Sequence, residues 1–221
     1  MTNQHPKAIL FDWDGTLAET RSAVVKAMEY TLALYHKEPW NITKQKYRDT
    51  TKSLKENFPN FFGNDYKQAY ATYLNYYQQN AIKQIYPIPN AEKFLNQCTQ
   101  NNIEIYVISN KEKSLLLQEV KQCFPQITFK NILGNGDSLK NKPAPDPVFT
   151  ALASASYPIN KNTVWLIGDS KQDTACALSA NILPILIGIG KFMEKAEVSE
   201  QIANNKIIQI QDFNQLIGML K

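Results

Sequence analysis

The chain has 221 residues, of which 43% are hydrophobic and 20% charged, a composition typical of a globular protein with one large domain or a domain that carries an insert. Its formal net charge is +4, and its lysines are scattered without a block of five or more like charges, so we expect it to bind no nucleic acid. Three cysteines without short spacing predict neither a disulfide framework nor a zinc site. The absence of a signal-peptide pattern and of an apolar run long enough for a bilayer predicts a cytoplasmic protein with no membrane association.

Short apolar runs alternate with helical patterns along most of the chain. The first run, Lys7–Phe11, ends in acidic residues and glycine, which is typical of a buried strand. Further strands are predicted at Ile103–Ile108, Ile127–Leu133, Thr163–Ile167, Leu183–Ile187 and Ile207–Ile210. Helical patterns cover Ala91–Asn101, Lys113–Cys123, Pro145–Ser156, Asp173–Asn181 and Asp212–Leu220. This alternation predicts an α/β fold with a Rossmann-like parallel sheet and helices on both faces.

The segment from about Thr20 to Tyr86 interrupts this alternation, because it contains no convincing strand. Three helical segments are predicted in it: Ser22–Lys37, Thr43–Asn57 and Asp65–Ile85, with Pro39-Trp40 and Phe58-Pro59-Asn60 between them. We therefore predict a core domain made of residues 1–18 and 87–221, with an inserted all-α module at 19–86. Four tyrosines at helical spacing predict packing between these helices, with a hydroxyl that reaches a substrate as the alternative: Tyr66, Tyr70, Tyr73 and Tyr77.

Polar residues suited to phosphate and magnesium follow four of the predicted strands. In chain order they are Asp12, Asp14, Gly15 and Thr16; then Ser109, Asn110 and Lys111; then Asp137, Asn141 and Lys142; and finally Asp169, Ser170 and Asp173. Ligands of an open parallel sheet bind beyond the carboxyl ends of its strands. We therefore expect these residues to meet at one edge of the sheet.

Three of these aspartates would bring like charges together, which is costly without a cation such as Mg²⁺. A carboxylate such as Asp12 can attack phosphorus and form an aspartyl-phosphate. An acid two residues later, Asp14, can protonate the leaving alkoxide and then activate water. Gly15 permits a sharp turn near the phosphoryl oxygens, and Lys142 supplies positive charge for the carboxylates and the reacting phosphate.

The four groups of residues, in this order, resemble the four motifs of the haloacid dehalogenase superfamily. The matching segments are Asp12–Thr16, Ser109 in Val107–Lys111, Lys142 in Asn141–Pro147, and Gly168–Asp173. The resemblance implies that Asp12 is the nucleophile and a magnesium ligand, that Asp14 is the general acid/base and binds magnesium through its backbone carbonyl, and that Asp169 is the third ligand. It places Asp173 close by without direct contact to the metal. It further implies catalytic and substrate contacts from Lys142, substrate contacts from Gly15, Thr16, Ser109 and Asn110, and a mobile cap formed by the helical insert.

Within the superfamily, Asp14 favours phosphate-ester chemistry, and the segment Lys142–Pro147 together with the insert looks most like the phosphoglycolate phosphatase branch. Trp13 and the pair Glu19-Thr20 depart from that branch. The resemblance implies an Mg²⁺-dependent phosphomonoester hydrolase that acts on a small phosphorylated metabolite, most similar to phosphoglycolate. Two alternatives stay open: a phosphomutase similar to β-phosphoglucomutase, and a non-catalytic regulatory protein that binds phosphate and magnesium.

Overall fold

The computed structural model describes residues 5–49, 52–188, 204 and 207–220. Where the predicted domains and elements extend over 1–4, 50–51, 189–203, 205–206 or 221, they lie outside the described residues. The strands are β1 (Ala8–Phe11), β2 (Ala18–Glu19), β3 (Tyr86–Pro87), β4 (Glu104–Glu112), β5 (Asn131–Asn135), β6 (Val164–Gly168), β7 (Leu183–Ile187) and β8 (Ile208–Ile210). Six of them form one parallel sheet in the order β5-β4-β1-β6-β7-β8.

The described helices are α1 (Arg21–Leu34), α2 (Trp40–Tyr47), α3 (Leu54–Phe62), α4 (Tyr66–Tyr76), α5 (Ala91–Gln100), α6 (Lys113–Cys123), α7 (Asp146–Ala151), α8 (Lys171–Ser179) and α9 (Phe213–Met219). A π-helical turn, Tyr77–Ala81, continues α4 and is followed by a short 3₁₀ turn, Ile82–Gln84. Residues 21–84, which we call the helical insert, therefore contain helices and connecting turns between the first two strands of the main sheet. This architecture confirms the predicted α/β class with its parallel sheet.

Alternate side chains of each central strand enter two apolar layers. Ile9 and Phe11 of β1 pack on one face of the sheet, whereas Ala8 and Leu10 pack on the other. Helices cover both faces, so these strands are buried throughout, as expected of near-continuous apolar runs in a parallel sheet. The layer that contains Phe11 continues into the helical insert, where it includes Tyr77.

The two connections between the sheet and the helical insert are bonded to each other. Strand β2, which enters the insert, pairs antiparallel with β3, which leaves it. The backbone N–H of Ile88 also donates to the carbonyl of Leu17 at 2.9 Å. The insert therefore begins and ends at one place beside the carboxyl end of β1. Among the described residues, no helix is both long and apolar enough to cross a bilayer.

Several of the predicted elements differ from the structure, and α7 ends at Ala151 rather than at Ser156. The third strand begins at Asn131 rather than at Ile127, because Ile127 closes a turn on Phe124 and Phe129 points into the apolar layer. The predicted helix Thr43–Asn57 is wrong: α2 ends at Tyr47, and α3 begins anew after Ser53.

The new start of α3 has a clear local cause. Ser53 and Glu56 form a capping box, in which each side chain accepts from the other residue's backbone N–H. Pro59, predicted to separate helices, lies inside α3 instead. A proline there removes one backbone hydrogen bond, and the buried side chains of Phe58, Phe61 and Phe62 hold the helix in place through tertiary packing.

Candidate active site

The carboxyl ends of β4, β1 and β6 lie side by side at the centre of the sheet. Phe11, the last residue of β1, is in register with Val107 of β4 and Ile167 of β6. The Asp12 N–H donates to the Ile167 carbonyl at 2.9 Å, which fixes the start of the loop after β1. The ladder between β4 and β5 is irregular from Ile108 to Glu112, so β4 changes course in the stretch that contains Ser109, Asn110 and Lys111. Irregularities of this kind redirect side chains next to active sites.

The loop after β1 is a tight turn that depends on Gly15. This glycine has a φ of +80°, and a Cβ atom there would lie 2.4 Å from Asp169 Oδ2. Any side chain would therefore strain the backbone and displace Asp169. The N–H groups of Gly15 and Thr16 are used within the turn, where they donate to Ala18 and Trp13. The Thr16 hydroxyl is buried and donates to Asp12 Oδ2 at 3.4 Å.

Lys142 connects two acids at the centre of the site. Its buried Nζ lies 2.6 Å from Asp12 Oδ1 and 2.6 Å from Asp173 Oδ1. Asn110 holds the backbone of Lys142 on both sides: its Nδ2 donates to the Lys142 carbonyl at 2.8 Å, and its Oδ1 accepts from the Lys142 N–H at 3.0 Å. The structure thus uses the Asn110 amide to position Lys142, whereas the predicted contact of Asn110 with substrate stays a prediction.

Asp173 is fixed through both of its oxygens. Oδ1 binds Lys142, and Oδ2 accepts from the Ser170 N–H at 3.1 Å within the capping box of α8. A Cβ atom at Gly168 would lie 2.3 Å from the Cβ atom of Asp173, so only glycine fits there. Both oxygens of Asp173 thus have protein donors, and its place outside the metal's own ligands stays a prediction.

Three carboxylates meet at this edge of the sheet. Asp12, Asp169 and Asp173 each offer an oxygen, and these oxygens all lie within 4.8 Å of one another. Burial raises the pKa of Asp12 to about 7, with further increases from Asp173 and Asp14, although Lys142 opposes them. Burial and the neighbouring Asp12 raise the pKa of Asp169 to about 8. Such a set of oxygen ligands fits a hard divalent cation, whose charge would favour the ionised forms.

A second cluster surrounds the side chain of Asp14. Lys111 Nζ lies 2.7 Å from Asp14 Oδ1 and 3.0 Å from Glu119 Oε1, and it donates to the Tyr77 hydroxyl at 3.0 Å. Thr20 also donates to Asp14 Oδ1. Burial lowers the pKa of Lys111, but the negative charges beside it, first that of Asp14, raise it well above its usual value.

Lys111 was predicted at this edge of the sheet among the residues suited to phosphate and magnesium, without a role of its own, and Glu119 was not predicted there. A signal for Glu119 was present, because it lies on the buried stripe of α6 together with Leu115, Leu116, Val120 and Cys123. A carboxylate at an apolar position of a helix requires a buried partner. Asp137, predicted near the site, instead pairs with Lys113 at 2.6 Å.

A family model described as haloacid dehalogenase-like hydrolase matches residues 9–187. The chain belongs to this family. A phosphoglycolate phosphatase from Neisseria gonorrhoeae is 26% identical over 198 residues, which cover 85% of this chain and 82% of that protein. A provisionally named pyrophosphatase, PpaX, from Caldanaerobacter subterraneus is 24% identical over 194 residues, or 81% of this chain and 80% of that protein. The crystal structure of a predicted phosphoglycolate phosphatase from Haemophilus somnus aligns over 100% of both chains with a TM-score of 0.81 and 18% identity.

These similarities confirm the predicted superfamily and fold. They also confirm that this haloacid dehalogenase-like hydrolase is an enzyme of the phosphatase kind, since the family is one of hydrolases and its curated relatives are named for phosphate or pyrophosphate hydrolysis. The matched residues 9–187 include all four motifs, from Asp12 to Asp173.

A cavity of about 430 Å³ opens beside the site of this hydrolase. It lies between the helical insert and the core, and its lining includes Glu56 of α3 together with Ser138, Asn141 and Lys142 of the loop after β5. Lys142, which contacts Asp12, forms part of its wall. The insert and the core both line the cavity.

We expect Mg²⁺ to stabilise the protein more strongly at about pH 8 than at about pH 5. The folded-state pKa values of Asp12 and Asp169, about 7 and about 8, lie above the ordinary value of 3.8. Between these values the unfolded chain binds fewer protons than the folded one, so the stability of the metal-free protein falls as pH rises. Magnesium binds the ionised carboxylates and should reverse this loss.

Thermal unfolding with EDTA or with saturating Mg²⁺ at both pH values measures this effect. Ligand at about a hundred times its Kd adds about 2.7 kcal/mol, which corresponds to a rise in Tm of roughly 5–10 °C at this chain length. Asp169→Asn should lose the rise, whereas Asp137→Asn should keep it. Equal stabilisation at both pH values would contradict the proposed ionisation of the site.

Proposed function

We propose that this protein is an Mg²⁺-dependent phosphomonoester phosphatase that acts through an aspartyl-phosphate on a small metabolite, with a phosphoglycolate-like molecule as the favoured substrate. The observation that carries the proposal is the position of Asp12, a buried carboxylate 2.6 Å from Lys142 and two residues before a second acid, Asp14. A nucleophile, a fixed cation and an acid/base group thus lie within one turn and its nearest contacts.

In the first step, an oxygen of Asp12 attacks the phosphorus of the substrate while the bond between phosphorus and the leaving oxygen breaks. The Lys142 ammonium, held by Asn110, compensates the negative charge that develops on the phosphoryl group. Asp14 gives a proton to the leaving oxygen, which departs as an alcohol. In the described part of the chain, both donors to Asp14 bind Oδ1, so Oδ2 is the oxygen that carries this proton.

In the second step, water attacks the phosphorus of the aspartyl-phosphate, and Asp14 takes a proton from that water. The products are inorganic phosphate and the regenerated Asp12 carboxylate. Asp12, Asp169 and the backbone carbonyl of Asp14 would hold Mg²⁺, which when bound supplies charge neutralisation and orients the phosphoryl oxygens. Asp173 would keep Lys142 in place rather than touch the metal.

We propose that the helical insert is a cap over a core formed by residues 1–18 and 87–221, as its single entry and exit beside β1 suggest. Closure of such a module would exclude water and bring substrate-selecting residues to the site. A cytoplasmic location would match the small phosphorylated metabolites that this enzyme is proposed to use.

Three cations of the helical insert favour the hypothesis that the substrate carries a second negative group, such as a carboxylate. They are Arg21, Lys44 and Arg48. Charge from Arg48 and Arg21 lowers the pKa of Lys44, after a larger effect of burial, so the three lie near one another. Among the described residues, none of the three forms an ion pair with a carboxylate, and Arg48 Nε is buried without a hydrogen-bond partner. Thr20, directly before Arg21, donates to Asp14, which connects this group of cations to the site.

Phosphate release from a panel of phosphorylated metabolites, with Mg²⁺ or with EDTA, tests the proposal. We expect Mg²⁺-dependent turnover, with the highest kcat/KM for an ester that carries a carboxylate. Arg48→Gln should lower kcat/KM for phosphoglycolate by roughly 10-fold or more, since a charge-assisted hydrogen bond is worth about 1.5–3 kcal/mol. The same variant should change hydrolysis of an aryl phosphate that has no carboxylate by less than about 3-fold, within the range of surface effects.

Lys46→Gln is the matched control, because Lys46 lies two residues before Arg48, in the last turn of α2, but pairs with Glu38 at the surface. If no compound of the panel releases phosphate in the presence of Mg²⁺, the proposed function is contradicted. Conversion of a hexose phosphate into its isomer without phosphate release would support the phosphomutase alternative instead. Equal decreases in kcat/KM for all substrates in the Arg48→Gln variant would show that Arg48 does not select the substrate.

A further inference from the structure

Lys111 lies at the centre of a buried polar cluster that joins the core to the helical insert. Its side chain is only 6% exposed, and its Nζ contacts Asp14 and Glu119 of the core and Tyr77 of the insert at 2.7–3.0 Å. Glu119 is fully buried and accepts through Oε2 from Trp13 Nε1 at 2.5 Å. Trp13 stands directly between Asp12 and Asp14 in the chain, so the cluster contacts the turn that holds both acids.

The surroundings of Lys111 leave little room for a direct contact with phosphate. An ammonium group has three donors; two of them bond Asp14 and Tyr77, and Glu119 Oε1 lies 3.0 Å away as an ion-pair partner without hydrogen-bond geometry. The Tyr77 ring also packs against it, with its centroid 5.0 Å from Nζ. A lysine that bound substrate would need a free donor toward the site, whereas Lys142 already occupies the position next to Asp12.

We propose that Lys111 is a positioning residue that holds Asp14 in the orientation for proton transfer, and that Tyr77 makes this orientation depend on contact between the helical insert and the core. This inference rests on the proposed function, because it assigns Asp14 the role of general acid/base. Lys111 and Thr20 both bind Asp14 Oδ1, which turns Oδ2 away from the cluster. Glu119, fixed by Trp13, in turn holds Lys111.

The hydrogen bond between Tyr77 and Lys111 can form only while the insert lies against the core. Tyr77 is the first residue of the π-helical turn after α4, and such turns are frequent at functional sites. Its ring is buried in the apolar layer, while its hydroxyl accepts from Lys111. Movement of the insert away from the core would remove this acceptor from Lys111. Asp14 would then be least constrained when the site is open, and best positioned when it is closed.

This role can be tested with two substrates whose leaving groups differ in their need for a proton. An alkyl phosphate has a poor leaving group that requires general acid catalysis, whereas dinitrophenyl phosphate has a leaving group that departs without a proton. The readout is the single-turnover rate of leaving-group release, because hydrolysis of the aspartyl-phosphate needs Asp14 with either substrate. We expect Lys111→Met to lower this rate for the alkyl phosphate by about 100-fold, the lower end of the contribution of general acid catalysis. The same change should lower the rate for dinitrophenyl phosphate by less than about 5-fold, because Lys142 and Asp12 remain in place.

Removal of Lys111 leaves the buried Glu119 without its cation, which is destabilising. The double variant Lys111→Met/Glu119→Gln restores neutrality, and Tyr77→Phe removes only a hydroxyl, so both keep the test valid if the single variant does not fold. Tyr77→Phe should show the same selective loss on the alkyl phosphate, about 3- to 10-fold, as expected for one lost hydrogen bond. Tyr70→Phe is its control, because the Tyr70 hydroxyl bonds Glu112 rather than Lys111.

Equal fold-losses on the two substrates, or no loss on either, would overturn the positioning role of Lys111. A loss on both substrates through KM alone would also overturn it, since that pattern indicates direct substrate binding. These outcomes differ from failure of the proposed function, in which the unmodified protein with Mg²⁺ would release phosphate from neither substrate.

Discussion

Replacement of Asp12 by asparagine is expected to abolish turnover and to leave the protein folded. An amide oxygen cannot form the aspartyl-phosphate, and removal of a covalent nucleophile lowers kcat by roughly 10⁴-fold or more. Asp12 is only 7% exposed, and its Oδ1 lies 2.6 Å from Lys142 Nζ. Phosphate release under single-turnover and steady-state conditions measures the loss.

The same substitution should stabilise the metal-free protein at high pH. Burial raises the pKa of Asp12 to about 7 from 3.8, so its ionised form destabilises the folded state above that pH. Asparagine has nearly the same shape without the charge. We therefore expect the Tm of Asp12→Asn to exceed that of the unmodified protein at about pH 8, and the difference to shrink toward about pH 4. Gains in stability with loss of activity are common where a site holds buried charge.

Asp137→Asn is the matched control for Asp12→Asn. It makes the same chemical change on the loop after β5, but Asp137 pairs with Lys113 and does not belong to the cluster of Asp12, Asp169 and Asp173. Its activity should stay within a few-fold of the unmodified protein. More than about 1% residual activity in Asp12→Asn would contradict the nucleophile assignment, because that level corresponds to the loss of less than 3 kcal/mol of transition-state stabilisation.

Much of the sheet and of the carboxylate cluster could be predicted from the sequence, because both depend on local patterns. Buried parallel strands appear as apolar runs, and Asp12, Ser109 and Asp169 follow such runs directly. Parallel strands bring their carboxyl ends to one edge, so chain order was enough to group these residues. Lys142 lies further along the loop after its strand; chain order placed it near this edge, and the family resemblance marked it as a motif residue.

The cluster around Lys111 could not be predicted in this way, since its members come from separate elements that are far apart in the chain. Tyr77 enters from the helical insert and Glu119 from α6, and no spacing in the sequence joins them to Asp14. The tyrosine spacing predicted packing, which the structure shows for the Tyr77 ring, but not the hydrogen bond of its hydroxyl. The break between α2 and α3 was missed for a similar reason. It depends on the Ser53 capping box and on Asn57, whose buried amide bonds the carbonyls of Asp49 and Ser53.

Replacement of Lys142 by methionine is expected to remove both activity and a large part of the stability. Its Nζ lies 2.6 Å from Asp12 and 2.6 Å from Asp173, and removal of one partner of a buried ion pair costs about 3–5 kcal/mol. Loss of the cation also leaves the developing charge on phosphate without compensation, for which we expect a decrease in kcat of about 10³-fold. Urea unfolding and phosphate release measure the two effects.

The loss of stability in Lys142→Met should itself depend on pH. Without Lys142, which opposes the effect of burial on Asp12 and Asp169, the folded-state pKa values of these two carboxylates rise further above 3.8. The folded state then holds its protons up to a higher pH than the unfolded chain, so stability falls more steeply between about pH 5 and about pH 8. Lys161→Met, on an exposed loop before β6, is the control and should show neither effect.

Lys142→Arg separates charge from geometry at this position. Arginine keeps the positive charge and should recover part of the stability that methionine loses, but its planar guanidinium is larger than the ammonium that fits between Asp12 and Asp173. Activity should therefore stay at least about 10-fold below that of the unmodified protein, since misplacement of a charge by about 1 Å is enough for such a loss. Full activity in Lys142→Arg would show that only the charge matters, and the close contacts of Nζ would then have no catalytic role.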